Sequence, residues 1–198
     1  ATGPVRSNKG SCYEGGHRVP FIVSWPKKIG KGKVSDQLIG LQDLYATFSE
    51  VMSVSLPNLK KGEKGAEDSL SLLSAWRGEK LVNRPMFYND HKESKDGAAS
   101  AMRIDNPKVG GKSVPGKWKM FFDASLLRAG TANPTALFDL ASDPREGKNR
   151  LKDKNLKPLV KRLVSIALLH RRTGGHRFVP LSPKERVTFD WTKPIPSP

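Results

Sequence analysis

The chain has 198 residues, 35 of them Lys or Arg and 19 Asp or Glu, for a formal net charge of +16 and a sequence pI near 10.1. That length allows one domain, or a domain with a small appendage, and a core of ordinary size. A single cysteine, Cys12, excludes an intrachain disulfide and a multi-cysteine zinc site, and no apolar run approaches the roughly twenty residues a membrane span needs.

The charge predicts an anionic partner: nucleic acid, an anionic membrane surface, or a sulfated or phosphorylated substrate. The cations are spread from Lys27 to Lys193 without a recognisable nucleic-acid motif, so nucleic acid is not the expected partner.

The chain opens on a glycine-punctuated loop, Lys9-Gly10-Ser11-Cys12-Tyr13-Glu14-Gly15-Gly16-His17-Arg18-Val19-Pro20. It runs into Phe21-Ile22-Val23-Ser24-Trp25-Pro26, an apolar run with strand character. The loop presents one lysine, then an acidic and two basic side chains, and the strand is expected to anchor it. Arg18 pairing with Glu14 is the expected brace. Cys12 reads as a small buried side chain.

The run Lys9-Gly10-Ser11-x-Tyr13-Glu14-Gly15-Gly16-x-Arg18-Val19-Pro20 resembles the signature found late in formylglycine-dependent sulfatases of the alkaline-phosphatase-like superfamily. The resemblance implies that Lys9 contacts the sulfate group. Physically, a sulfate ester develops charge on its oxygens, which a fixed ammonium stabilises. At about 4 Å and an effective dielectric of about 20 the contact is on the order of 4 kcal/mol before desolvation. His17 and His91 are the other candidate substrate contacts, His17 from the same loop and His91 from the end of a later strand.

Further along, Ser35-Asp36-Gln37 leads into Leu38, Leu41, Leu44, Tyr45, Phe48, Val51 and Met52 at helical spacing. This predicts a helix from about Gln42 with its apolar stripe in the core, and Asp43-Leu44-Tyr45-x-Thr47 is similar to a sulfatase segment. Residues 53–65 read as loop, and Ser69 to Arg77 as a short helix stopped by Gly78.

Four short strands follow: Arg84–Tyr88, Ser100–Ile104, Lys117–Phe122 and Ala136–Leu140. In the third, Trp118, Met120 and Phe122 alternate with Lys119 on the opposite face. Turns between them predict a small antiparallel sheet. Gly116-Lys117-Trp118-Lys119 and Leu137-Phe138-Asp139-Leu140 with Asp143-Pro144 and Glu146 resemble sulfatase elements, while the polar excursion 105–115 is longer than expected. Leu156, Leu159, Val160, Leu163, Val164 and Ala167 predict a helix to Arg172 across one sheet face, with Pro158 tolerated in its first turn.

The expected fold class is therefore α/β: the C-terminal part of an alkaline-phosphatase-like catalytic domain (1–78), then a small antiparallel sheet packed with a C-terminal helix (79–172), then an irregular Pro-rich tail (173–198). The resemblance implies a parent that hydrolyses sulfate esters, periplasmic or secreted, using calcium and a formylglycine made from a Cys/Ser-x-Pro-x-Arg motif. Neither group is expected from this chain. Ser142-Asp143-Pro144-Arg145 has its arginine one place early, Ser182-Pro183-Lys184-Glu185-Arg186 has its proline misplaced, and Cys12 lacks both.

No catalytic nucleophile and no metal ligand is thus nominated, and the chain alone is expected to be inactive. Its expected partners are a sulfated small molecule or polysaccharide and the N-terminal remainder of the catalytic domain. A phosphodiesterase or phosphonate hydrolase of the same superfamily, or a non-catalytic basic module binding polyanions, are the rival readings. A fragment would also expose apolar surface and an unpaired edge.

Overall fold

The computed structural model describes residues 4–58, 61, 63–89, 100–128, 130–173, 189 and 195. By contacts these fall into two compact units. One joins the opening segment up to Val19 to the chain from Asn83 onward, and the other is Pro20–Val82.

The first unit is built on a four-stranded antiparallel sheet in the order β1-β2-β5-β6, formed by β1 (Met86–Asn89), β2 (Ser100–Asp105), β5 (Lys117–Phe122) and β6 (Pro134–Asp139). All four predicted strands are present. Between β2 and β5 the long polar excursion folds back as a hairpin, β3 (Lys108–Val109) with β4 (Lys112–Ser113). Gly110 and Gly111 at φ 54° and 79° give it the left-handed two-residue turn that matches strand twist. A short helix α4 (Ser125–Arg128) follows β5.

One sheet face carries Met102, Ile104, Trp118, Met120, Phe122 and Leu137 against Leu159, Leu163, Ile166 and Ala167 of α5 (Lys157–Arg172). This is the helix and the face that the periodicity predicts, with Pro158 in its first turn. Register sets Met102, Met120 and Leu137 side by side, so one row of large side chains fills the layer.

The opposite sheet face is not solvated. Ala101, Phe121, Phe138 and Leu140 are covered by Cys12 and Tyr13 of the opening loop, with Tyr13 and Phe121 ring centroids 4.8 Å apart. Lys119, read from alternation as the outward residue of its strand, has 0% exposure. Burial on both faces is why β5 is the centre of this unit.

In the second unit, α2 (Asp43–Val51) and α3 (Leu73–Arg77) are present, the latter ended by Gly78 at φ 96°. Two expectations fail here. Phe21–Trp25 forms no strand: the segment pairs with no other strand among the described residues, and Ile22 is 90% exposed.

The apolar stripe of α2 is also outside, with Leu41, Tyr45, Phe48 and Met52 all more than half exposed, while Asp43, Ala46 and Thr47 are buried. The polar face turns inward because it satisfies a neighbouring backbone. Asp43 Oδ1 accepts the N–H of Leu70 at 3.0 Å, and Thr47 Oγ1 that of Leu72 at 2.9 Å.

Candidate functional site

The opening loop is short of regular structure, and its only helix is the single turn α1 (Glu14–His17). Its place is fixed by close backbone packing. The N–H of Gly15 bonds to Arg6 O at 2.9 Å, and a Cβ on Gly15 would overlap the carbonyl oxygens of Arg6 and Ser7. One on Gly16 would overlap that of Ser11. The paired glycines are thus required by contact: no other residue lets the loop fold over itself here.

Beneath α1 lies a buried charge cluster. Register pairs Arg103 of β2 with Lys119 of β5, two cations directly across the sheet, an arrangement that repels unless an anion lies between. Glu14 supplies it. Its Oε1 is 2.9 Å from Lys119 Nζ and its Oε2 3.3 Å from Arg103 Nη1.

Glu146, in the turn after β6, completes the lock. Its Oε1 stands 3.0 Å from Lys119 Nζ, and its Oε2 accepts the backbone N–H of Glu14 at 2.7 Å. Arg6 donates from Nη1 to Glu146 O at 3.0 Å, with its guanidinium 4.0 Å above the Tyr13 ring. The loop is therefore fastened to the sheet by side chains drawn from three widely separated stretches.

Burial alone would raise the Glu14 pKa, but Lys119 and then Arg103 hold it below the usual carboxylate value. For Glu146 burial prevails over Lys119, and its pKa is raised. His17 stacks on Tyr88 with ring centroids 3.8 Å apart and lies 3.0 Å from Lys119 Nζ. Burial, then the Lys119 charge, lowers its pKa to about 4. The imidazole is thus neutral, and its Nε2 lies between the Lys119 ammonium and the Cys12 carbonyl oxygen, 3.3 Å away.

These positions sort the sequence candidates. Lys9 is exposed in the turn ahead of the fastened segment, followed by Gly10 at φ 94°. His17 lies in the buried cluster and braces Lys119. His91 lies outside the described residues. Arg18 is exposed and does not carry the brace expected of it, because Glu14 is already taken by Lys119 and Arg103. Cys12 is buried, with Sγ 3.6 Å from Tyr88 O.

Arg103, Lys119 and Glu146 are the residues that sequence reasoning missed as partners of Glu14. Lys119 and Glu146 lie in segments quoted for the resemblance, and a lysine on a strand flanked by large apolar residues was the available signal. A cavity of about 240 Å³ beside β6 is lined by Arg6, Tyr13, Phe138 and Asn149 among others, and Lys9 is not part of it.

The Sulfatase family profile matches residues 1–54, the stretch that holds the loop and α2. N-acetylgalactosamine-6-sulfatase of Canis lupus familiaris is 40% identical over 88 residues, 44% of this chain and 16% of that protein. N-acetylgalactosamine-6-O-sulfatase of Bacteroides thetaiotaomicron is 27% identical over 155 residues, 74% of this chain and 26% of that protein. In the stretch it shares with them, the chain is similar to these sulfatases.

A solved structure from a Bacteroides thetaiotaomicron locus for metabolism of multiple glycosaminoglycans matches with a TM-score of 0.53 and 26% identity, over 82% of this chain and 31% of that one. The chain thus spans a minor part of the length of these sulfatase relatives, and its α/β fold of helices and antiparallel sheet corresponds to that part.

The groups general to sulfatases do not fit the described residues. Among the described residues no cluster of three or more His, Cys, Asp or Glu could hold an ion, and Glu14 and Glu146 are engaged with Lys119. Buried Cys12 is not placed as a formylglycine nucleophile. No helix among the described residues is long and apolar enough to cross a membrane.

Proposed function

We propose that this chain is the C-terminal portion of a sulfatase that hydrolyses sulfate esters, and that Lys9 is its contact to the sulfate group. One observation carries the reading: the signature loop is fastened through Glu14 to Lys119 and Glu146, leaving Lys9 exposed at its turn. A turn tied down in this way gives an ammonium a fixed position, and fixed charge stabilises developing charge without reorganisation.

On this reading residues 1–78 are the remainder of the catalytic domain, 79–172 the small subdomain and 173–198 a tail, most of which lies outside the described residues. Calcium and the formylglycine come from a segment this chain does not contain. That segment is also the natural cover for the exposed stripe of Leu41, Tyr45, Phe48 and Met52. His17 has a supporting role behind the loop, and His91 remains a candidate substrate contact.

The relatives named for N-acetylgalactosamine sulfate support a sulfated sugar as substrate, and with it a periplasmic or secreted setting. They also favour sulfate over phosphate esters.

The test is hydrolysis of 4-nitrophenyl sulfate. Joined to an upstream segment bearing Cys/Ser-x-Pro-x-Arg, the protein turns the ester over, and Lys9→Ala lowers kcat/KM by about a hundredfold. The chain alone shows no turnover. Turnover by the chain alone, or full activity of the Lys9→Ala protein, contradicts the reading.

A further inference from the structure

We propose that the exposed lysines Lys148, Lys152, Lys154, Lys157 and Lys161 form a docking strip for a linear sulfated polysaccharide; the choice of ligand rests on the sulfatase reading above.

All five are exposed. Lys154, in the 3-10 turn Lys154–Leu156 that leads into α5, is followed by Lys157 and Lys161 at spacings of three and four. They therefore share one helical face over about 10 Å of its axis. The opposite face of α5 is held to the sheet by Leu159, Leu163, Ile166 and Ala167, so these lysines project from a fixed support. Little offsets their charge. From Lys154 to Arg172 the sequence has no Asp or Glu, and Asp153 just before it is engaged, accepting the Asn155 N–H and pairing with Arg150 Nη2, both at 3.0 Å.

The placement works against the helix that bears it. The first turn of α5 contains no acidic residue, although the positive end of the helix dipole favours carboxylates there, and like charges at i,i+4 repel. At the other end, His170, Arg171 and Arg172 sit where the dipole favours cations, and need no further explanation. A local conflict at the first end and agreement at the second point to a use for the first.

The chemistry of the strip separates glycan from single-stranded nucleic acid. Stacking platforms need aromatic side chains between the cations, and from Gly147 to Arg172 there is no Phe, Tyr or Trp. Hydrated lysine point charges suit a polymer whose anions hang on flexible, non-aromatic rings.

The experiment titrates the full 198-residue chain with dextran sulfate of defined length at about 50 mM and about 200 mM salt. Lys154→Glu, Lys157→Glu and Lys161→Glu combined lower the affinity at least tenfold and flatten the salt dependence by about two to three counterions. The matched reversal Lys27→Glu, Lys28→Glu and Lys31→Glu changes it less than about twofold by the same logic of local contact. Glutamates favour the start of α5, so the helix persists, and a Gln triple at the same positions removes the cations without adding repulsion.

Equal losses from both reversals would mean that net charge alone is responsible and would overturn the strip. Duplex DNA bound as tightly as dextran sulfate, and lost with the same three lysines, would overturn the glycan assignment. Lys9→Ala removes the response to inorganic sulfate, whereas the triple reversal at Lys154, Lys157 and Lys161 leaves that response in place. A Lys9→Ala chain that still responds to inorganic sulfate would count against the sulfatase reading without touching the strip.

Discussion

Lys119 Nζ lies 2.9 Å from Glu14 Oε1, although 105 residues separate the two in the chain. The pair joins the loop that bears Lys9 to the central strand of the sheet, and Glu146 closes it from a third stretch. Removing the ammonium leaves two carboxylates in a site built for a cation. Lys119→Met should therefore cost about 3–5 kcal/mol, the usual penalty for breaking a buried pair. Glu14→Gln combined with Lys119→Met should cost less than the sum, and urea unfolding of the singles and the double reads the coupling. Additive losses would show that the two do not act together.

A second expectation concerns the paired glycines. Gly15→Ala and Gly16→Ala each drive a methyl into a backbone carbonyl, so each should destabilise the first unit by several kcal/mol, on the order of a strained or overpacked site. Gly10→Ala, where a Cβ meets open space but φ is 94°, should cost only about 1 kcal/mol. Thermal melts of the three variants give the ranking, and equal shifts would refute the close-packing account.

His17 makes the loop acid-sensitive. Its folded pKa is about 4 against an ordinary value of 6.5, so below 6.5 the unfolded chain binds the proton more tightly. The imidazole contribution is fully present above pH 6.5 and declines as pH falls toward 4, by up to roughly 3 kcal/mol. Glu14, with a lowered pKa, loses its contribution below 4.5 as pH falls through its folded value. Glu146, with a raised pKa, has the opposite sign: its contribution is full below 4.5 and is lost as pH rises through its folded value. The difference between the protein and His17→Gln isolates the imidazole. Parallel stability curves from pH 7 to about 4 would contradict the lowered pKa.

The strands were legible because alternation marks them, and the long helix because its apolar repeat matches a buried stripe. Lys119 was not, since the same alternation assigns it to the outer face and only the loop more than a hundred residues earlier covers that face. Glu14 was given a neighbour, Arg18, because sequence reading reaches nearby charges first, while the register that brings Arg103 beside Lys119 appears only in the folded sheet. On α2 the periodicity was real, but in this chain the stripe faces solvent and the polar side holds the segment at residues 69–72.

That stripe gives a fourth expectation. Tyr45 and Phe48 are 55% and 51% exposed, so Tyr45→Ser with Phe48→Ser should change the unfolding free energy by no more than about 0.5 kcal/mol per site while reducing self-association. Sedimentation and urea unfolding on the same samples separate the two effects. A large loss of stability would mean that the stripe is packed.

The most direct test follows the Lys9 ammonium by NMR while inorganic sulfate is added to the chain. The account predicts a saturable shift at Lys9 with weak affinity, on the order of millimolar, that disappears in Lys9→Ala, whose fold and melt are unchanged. A Lys9 signal that ignores sulfate, or sulfate binding that survives Lys9→Ala, would contradict it.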